Sequence, residues 1–192
     1  MKHLLEHFIR SVVFNHNEKE IGAILNIFET KVFEKGDVFK QSYTISKKLG
    51  FITSGSVKVL ITHKNGSITT ANILQENKFM IDLISIKTHK PTAVSIEFLE
   101  TSSVLVTSVV AMDRLLKQNL TFNILIREHI SEIVVALGKR HLLFLTSDSR
   151  ERYQFILNNY PTLMKKFPLR LIASMIGITP TQLSRVRKNI KN

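Results

Sequence analysis

The chain has 192 residues, of which 44% are hydrophobic and 22% are charged, a balance that is typical of a folded globular protein and excludes a disordered one. It contains no cysteine, which excludes a disulfide framework, cysteine-ligated zinc, an iron–sulfur cluster and a thiol nucleophile. The net charge of +12 favours a polyanionic partner, either nucleic acid or an anionic membrane surface.

Most of the excess charge lies in the last quarter of the chain. Residues 139–192 carry 11 Lys and Arg against two acidic residues, a net charge of +9, whereas residues 1–138 carry a net charge of only +3. A solvated basic tail would explain this charge equally well, so the hydrophobic pattern has to decide. The longest uncharged run, Leu171–Ser184, is shorter than the roughly 20 apolar residues of a membrane span. The N-terminus also lacks the apolar segment of a signal peptide. We therefore expect a cytoplasmic protein without a membrane partner.

The first 30 residues predict two helices. Leu4, Leu5, Phe8, Ile9 and Val12 recur at helical spacing, and a second set of apolar residues does so from Ile21 to Phe28. Asn17, followed three residues later by Glu20, indicates an N-cap with a capping box at the start of the second helix.

Residues 31–108 change to the pattern of β-strands. Turn signals separate short β-branched segments, which predict strands at residues 51–53, 57–62, 68–73, 94–98 and 104–106. The strongest hairpin signal is Asn65-Gly66, because both positions of a two-residue turn favour a positive φ. Short strands at this spacing predict an all-β barrel or jelly roll.

Residues 109–160 return to a helical pattern. A single helix from about Leu120 to Thr146 would be roughly 40 Å long, more than a small barrel can cover. Its apolar residues recur at alternating spacings of four and three residues, and Arg140 occupies the only polar position of this series. These residues are Ile126, Ile130, Ile133, Leu137 and Phe144. We predict that this stripe pairs with the same helix of a second copy; the alternative is burial in the chain's own core. A further helix is predicted from Ser149 to Tyr160.

Residues 169–188 have the pattern of a helix-turn-helix unit. An apolar face that includes Ile172 and Ala173 is followed by Gly177, which permits the left-handed backbone that ends a helix. Thr179, Pro180 and Gln182 then form a helix start, with Thr179 as the N-cap and Gln182 completing a capping box. Ala173 is small where the second helix has to cross closely.

This second helix is expected to enter the DNA major groove. Arg185 is the best candidate for a bidentate contact to guanine, and Thr181 and Ser184 are the other predicted base contacts. The residues expected to contact phosphates are Thr179, Gln182, Arg187, Lys188, Arg170, Lys165 and Lys166. The alternative is an ordinary helical hairpin with a cationic surface.

From about Thr30 to Lys188 the sequence resembles the Crp/Fnr family of bacterial transcription regulators. The similarity lies in LGFITSGSVKVLI, in the KGD turn, in NKFMIDL and in the segment FPLRLIASMIGITPTQLSRVRK, which looks especially like the Bacteroidetes branch. The family's helix-turn-helix residues are matched by Ala173, Gly177, Leu183, Ser184 and Arg185. The resemblance implies an α+β chain. An effector-type, cyclic-nucleotide-binding-like β-barrel with N-terminal helices would span residues 1–118, a dimerisation helix residues 119–146, and an all-α helix-turn-helix domain residues 147–192.

The effector pocket departs from the family pattern. Members that bind cyclic nucleotides resemble one another in a Gly-Glu pair and, further on, in an Arg followed by a small residue. Here the pair is replaced by Ile81 and Asp82, and the Arg position falls near Pro91, between Lys90 and Thr92. A β-branched Ile81 would obstruct the close approach of a phosphate, and Pro91 offers neither charge nor N–H. We expect a degenerate pocket and no control by cAMP.

The sequence therefore predicts a homodimeric, sequence-specific transcription regulator that binds an inverted repeat in double-stranded DNA, with no catalytic residues, cofactor or metal. RNA polymerase and an unidentified small-molecule effector are further partners that the resemblance leaves open. The first alternative is a sensor whose cyclic nucleotide or other small ligand gates DNA binding, and the second is a barrel that serves only as a dimerisation scaffold. A metal-dependent cupin-like enzyme would need clustered His and carboxylate groups. Haem is left open by the seven His, although His129 and His141 do not share a helix face.

Overall fold

The computed structural model describes residues 1–191, with side chains for residues 1–190. It contains two compact units. The first comprises Met1–Ile68 and Asn72–Ile130, and the second comprises Thr69–Ala71 and the chain from Ser131 onward. No helix within the described residues is sufficiently long and apolar to cross a bilayer.

The predicted N-terminal helix pair is present as α1 (Lys2–Val12) and α2 (Glu18–Asn26). Asn17 caps α2, but Glu20 does not complete the predicted capping box. Its carboxylate instead accepts hydrogen bonds from the backbone N–H groups of Leu120 (3.1 Å) and Thr121 (2.9 Å). Because the first N–H groups of a helix have no partner inside the helix, Glu20 caps the long helix that begins there.

Eight strands form two antiparallel four-stranded sheets. Their bounds are β1 Glu29–Phe33, β2 Val38–Lys40, β3 Lys48–Ser54, β4 Val57–Thr62, β5 Ile68–Leu74, β6 Phe79–Met80, β7 Val94–Phe98 and β8 Ser102–Ser108. The strand orders are β1-β8-β3-β6 and β2-β7-β4-β5. This arrangement confirms the jelly-roll prediction and all five predicted strands. The prediction missed β1, which is largely exposed, and the very short β2 and β6.

Two apolar clusters lie on the two faces of the first sheet, because successive side chains of a strand point to opposite sides. In β3, Leu49 and Phe51 join the outer cluster with α1 and α2, and Ile52 joins the inner cluster between the sheets. The same alternation runs through β6, where Phe79 packs outward and Met80 packs inward. This alternation sets the directions of the side chains of Ile81 and Asp82, the two residues that follow β6.

The hairpin between β4 and β5 forms where Asn65-Gly66 predicts it, but its turn is of another kind. Gly66 has φ +81°, whereas Asn65 does not have a positive φ. The N–H of His63 donates to the carbonyl of Ser67 at 2.8 Å, and the Asn65 side chain accepts from the Ser67 N–H at 3.1 Å. The loop is therefore longer than a two-residue turn, and only its glycine needs the left-handed conformation.

The remaining helices are α3 (Leu83–Thr88), α4 (Val109–Leu116), α5 (Leu120–Thr146), α6 (Ser149–Asn159), α7 (Pro161–Lys166), α8 (Leu169–Met175) and α9 (Pro180–Lys191). The bounds of α5 agree with the predicted long helix. The second unit has its own small core, in which the buried apolar side chains come from α6 to α9 and the segments between them. These include Tyr153, Ile156, Leu163, Phe167, Ile172, Ala173, Met175, Ile176 and Leu183.

Candidate functional site

The turn between α8 and α9 is a Schellman motif. Gly177 has φ +67°, and its N–H donates to the carbonyl of Ser174 at 3.2 Å. The N–H of Ile178 donates to the carbonyl of Ala173 at 3.0 Å. These two bonds satisfy carbonyls that the end of α8 would otherwise leave unpaired, and they end the helix sharply. The predicted role of Gly177 at the turn is confirmed.

The start of α9 carries the predicted capping box. The N–H of Gln182 donates to Oγ1 of Thr179 at 3.1 Å, and the N–H of Thr179 donates to Oε1 of Gln182 at 2.8 Å. This reciprocal pair fixes the point at which α9 begins. It also occupies the side-chain oxygens of both residues, so any phosphate contact by Gln182 has to come from its amide NH₂ group.

One edge of α9 is exposed and consists of Thr181, Ser184, Arg185 and Lys188, which follow the spacing of a single helix face. We call these four residues the α9 edge. Leu183 lies on the opposite side and is fully buried. Within the described part of the chain, none of the four side chains makes a hydrogen bond or an ion pair. Their donors are therefore available to an external partner.

The structure separates the predicted phosphate contacts into two groups. Lys165 and Lys166 are exposed at the end of α7, and Arg170 is exposed at the start of α8. The ammonium of Lys166 lies 5.7 Å from the centre of the Phe167 ring. Arg187 is half-buried and follows Leu183 by one helical turn, so it lies on the side of α9 away from the α9 edge.

The inner face of the jelly roll contains a buried ion pair at the predicted effector pocket. Nζ of Lys40 lies 2.9 Å from Oδ2 of Asp82, and the two side chains are only 4% and 2% exposed. The Lys40 ammonium also donates to Oγ1 of Thr92 at 2.8 Å and to the carbonyl of Val94 at 2.7 Å. Sequence reasoning identified Asp82 and Thr92 but missed Lys40.

Asp82 has a full set of partners. One carboxylate oxygen accepts from the N–H of Ser85 at 3.1 Å and so caps α3, and the other accepts from the hydroxyl of Thr92. Burial by itself would raise the pKa of Asp82, but the hydrogen bonds from Thr92, Lys40 and Ser85 and the charge of Lys40 outweigh it. They hold the pKa below its ordinary value. Asp82 is thus an ionised group that is already neutralised from within the chain.

The other predicted pocket residues point elsewhere. Ile81 packs against the outer cluster beside Phe79, because it continues the strand alternation. Its side chain therefore does not obstruct the inner face, and that part of the sequence argument is corrected. Lys90 and Pro91 are exposed. The carbonyl of Lys90 accepts from the Ser85 hydroxyl at 2.9 Å, and this bond fastens the loop that follows α3.

The residues of the predicted dimer stripe on α5 differ in their exposure. Ile130 and Leu137 are exposed, together with Val134 and Leu145, whereas Ile126 and Ile133 are half-buried. Phe144 is half-buried against the chain's own side chains, with the guanidinium of Arg152 lying 4.7 Å from the centre of its ring. The exposed apolar residues of α5 remain the surface that predicts pairing with a second copy.

The structure shows where the residues that could bind a metal or haem lie. No group of three or more His, Asp or Glu that could hold a metal occurs within residues 1–191. His129 is buried, with its ring centre 5.1 Å from that of Phe79, while His141 is exposed. The two histidines are therefore not brought together.

Comparisons with known proteins agree with this architecture. Residues 30–119 match the family described as the cyclic nucleotide-binding domain. The c-di-GMP responsive global regulator CLP of Xanthomonas campestris is similar in structure, with a TM-score of 0.70 and 12% identity, over 91% of this chain and 92% of that chain. A CooA mutant from Carboxydothermus hydrogenoformans gives a TM-score of 0.70 and 16% identity, over 94% and 86% of the two chains.

The Thermus thermophilus Catabolite Activator Protein is also similar, with a TM-score of 0.56 and 16% identity, over 91% of this chain and 84% of that chain. No curated protein matches the chain in sequence. These three solved structures are Crp/Fnr regulators, and their similarity extends over about nine tenths of the chain. Residues 30–119 thus resemble a cyclic nucleotide-binding domain, and the chain has the fold of the Crp/Fnr transcription regulators.

Proposed function

We propose that this chain is a sequence-specific transcription regulator that binds an inverted repeat in double-stranded DNA as a homodimer. The observation that carries the proposal is the α9 edge, a row of exposed polar and cationic side chains without partners in the described part of the chain. The Schellman turn and the capping box hold the helix that presents this row. At 12 residues, α9 is about 18 Å long, enough to lie along a major groove.

The residues of the α9 edge have different roles. Arg185 can donate two hydrogen bonds to O6 and N7 of guanine, which fixes one base position. Thr181 and Ser184 lie towards the N-terminal end of α9, the end that approaches base edges in helix-turn-helix proteins. Lys188 lies further along and contacts phosphate, as do the exposed Lys165 and Arg170. Such contacts add affinity without sequence preference.

The length and exposure of α5 support a homodimer. The 27 residues of α5 carry exposed apolar side chains, including Ile130, Val134, Leu137 and Leu145. Pairing two such helices buries these side chains and places two copies of α9 in successive major grooves, about 34 Å apart. The DNA site is then an inverted repeat. RNA polymerase is a further partner consistent with such a regulator.

Selection from a random pool of duplexes at near-physiological salt tests the proposal. We expect an inverted repeat whose half-sites lie about one helical turn apart. The Arg185→Ala variant should lose about 1–3 kcal/mol of binding free energy and relax one base position in each half-site. The matched Lys188→Ala variant should weaken all sequences alike and reduce the salt dependence of binding. Recovery of duplexes without a common sequence would contradict the proposal.

The inner face of the jelly roll supports independence from cyclic nucleotides. A phosphate there would have to compete with the Asp82 carboxylate for Lys40, whose ammonium already has three partners. Removing that ammonium from its partners inside the protein would be costly. Titration calorimetry with cAMP and cGMP should show no binding at millimolar concentrations. Tight binding of either nucleotide would favour the alternative, a sensor whose ligand gates DNA binding.

A further inference from the structure

The C-terminal end of α5 is bonded to the α8–α9 turn through Arg152 of α6. Its Nη2 donates to the carbonyl of Phe144 at 2.9 Å, and its Nε donates to the carbonyl of Ser147 at 3.1 Å. Its Nη1 donates to the carbonyl of Ile176 at 3.4 Å. One guanidinium thus bonds the end of the long helix and the end of α8 at the same time.

The ring of Phe144 fills the space beneath this guanidinium. Arg152 lies 4.7 Å and Arg140 lies 5.3 Å from the ring centre, both in cation–π geometry. Arg140 also donates to the carbonyl of Met175 at 2.8 Å. A Cβ atom placed on Gly177 would lie 2.7 Å from Cε1 of Phe144, so the turn rests directly on the ring.

This geometry is well suited to fix the angle between α5 and α8. The last carbonyls of a helix have no partner within it and carry partial negative charge, which a guanidinium satisfies with several donors in one plane. Because Arg152 caps two helices with one rigid group, a rotation between them breaks at least one of its bonds. Phe144 beneath it limits the approach of the two ends.

We propose that Arg152 and Phe144, which we call the arginine clamp, are positioning residues that set the spacing of half-sites the dimer accepts. The inference rests on the proposed function. The clamp fixes α9 relative to the part of α5 from Ser131 to Thr146, and α5 is the helix proposed to pair. A rotation of about 10° acting over the roughly 18 Å of α9 moves its far end by about 3 Å, close to the rise of one base pair.

Arg150 provides a matched control. It lies two residues before Arg152 on the same helix, is exposed, and its side chain has no polar partner within the described residues. Arg150→Ala and Arg152→Ala therefore remove the same charge from α6. Only Arg152→Ala removes the clamp, and a difference between the two variants cannot come from net charge.

Binding of the purified full chain to a set of duplexes tests the inference. The duplexes carry identical selected half-sites with the central spacer shortened or lengthened by one or two base pairs, and a single half-site is included. The unmodified chain and Arg150→Ala should prefer one spacing by about tenfold or more over its neighbours. Arg152→Ala should reduce that preference to about threefold or less, with affinity for the single half-site changed by less than about twofold.

The Arg152→Lys variant extends the test if the alanine variant fails to fold by circular dichroism. A lysine keeps the charge but has no planar fork to bond several carbonyls, so an intermediate spacing preference is expected. An unchanged spacing preference in the folded variant would overturn the inference and leave the proposed function intact. So would an equal loss at every spacing and at the single half-site, since that indicates a purely structural role. If the unmodified chain showed no preferred spacing, the proposed function would fall as well.

Discussion

Replacing Lys40 by methionine should lower the free energy of unfolding of the first unit by about 3 kcal/mol or more. The substitution keeps the length and apolar stem of the side chain but removes the ammonium that lies 2.9 Å from the Asp82 carboxylate. Removing one partner of a buried ion pair costs about 3–5 kcal/mol, because the other charge stays buried. The hydrogen bonds from Thr92 and Ser85 still stabilise that carboxylate, which favours the lower end of the range.

A second substitution separates the loss of the pair from other effects. The double variant Lys40→Met/Asp82→Asn has no unpaired carboxylate charge in the interior. Its asparagine oxygen can still accept from the Ser85 N–H and cap α3. The double variant should therefore be more stable than Lys40→Met alone by at least about 1 kcal/mol. Lys48→Met is the matched control, because Lys48 is exposed and its loss should change stability by less than about 0.5 kcal/mol.

Urea unfolding followed by far-ultraviolet circular dichroism measures these differences at neutral pH. Equal slopes with shifted midpoints would show that stability has changed without a change in the surface exposed on unfolding. A loss below about 1 kcal/mol for Lys40→Met would show that the buried Asp82 carboxylate does not depend on the Lys40 ammonium. A double variant no more stable than the single one would contradict the prediction too, because the ion pair would then not be the source of the loss.

Three further outcomes are expected. Gly177→Ala should destabilise the second unit by about 1–3 kcal/mol in thermal unfolding, since the residue has φ +67° and its Cβ would collide with Phe144; an unchanged midpoint would contradict this. Thr179→Ala should cost about 0.5–2 kcal/mol through loss of the α9 cap, and Ser184→Ala, on the exposed side, should cost far less in the same assay. Because the folded-state pKa of Asp82 is lowered, its stabilisation is present at neutral pH and is lost as the pH falls below about 4. Asp82→Asn should therefore differ from the unmodified chain in melting temperature at pH 7 but converge with it in acid, and a constant difference would count against the ionised carboxylate.

Local patterns predicted the parts of the structure that depend on neighbouring residues. Turn signals between short β-branched segments located β4, β5 and β7, and the cap and turn residues Thr179 and Gly177 located α8 and α9. Alternation could have placed Ile81 correctly, because Phe79 packs outward and residues two apart in a strand share a face. The error came from comparing Ile81 with a family position instead of following the strand.

Contacts between segments that are distant in the chain could not be predicted from the sequence. Lys40 is 42 positions from Asp82 in the chain, and it lies in a three-residue strand with a register shift between Val38 and Lys40. That irregularity puts Phe39 and Lys40 next to each other on buried positions, which strict alternation forbids. Periodicity therefore gives no sign that Lys40 is the partner.

For two other residues the predicted pattern is correct, but the segment that the residue contacts is not the predicted one. The spacing of Asn17 and Glu20 is that of a capping box, but the Glu20 carboxylate caps α5, about 100 positions later. Phe144 occupies an apolar position of the predicted stripe, yet its ring is covered by Arg152 from the next helix. Spacing fixes which face of a helix a residue lies on, but not which segment packs against that face.

Two copies of α9 are proposed to bind one inverted repeat. The mass of the complex between the purified chain and a selected duplex tests this stoichiometry, and it is measured together with the affinity relative to a scrambled duplex at near-physiological salt. We expect two chains per duplex and at least about a thousandfold preference for the selected sequence. One chain per duplex, or equal affinity for both sequences, would contradict the proposal.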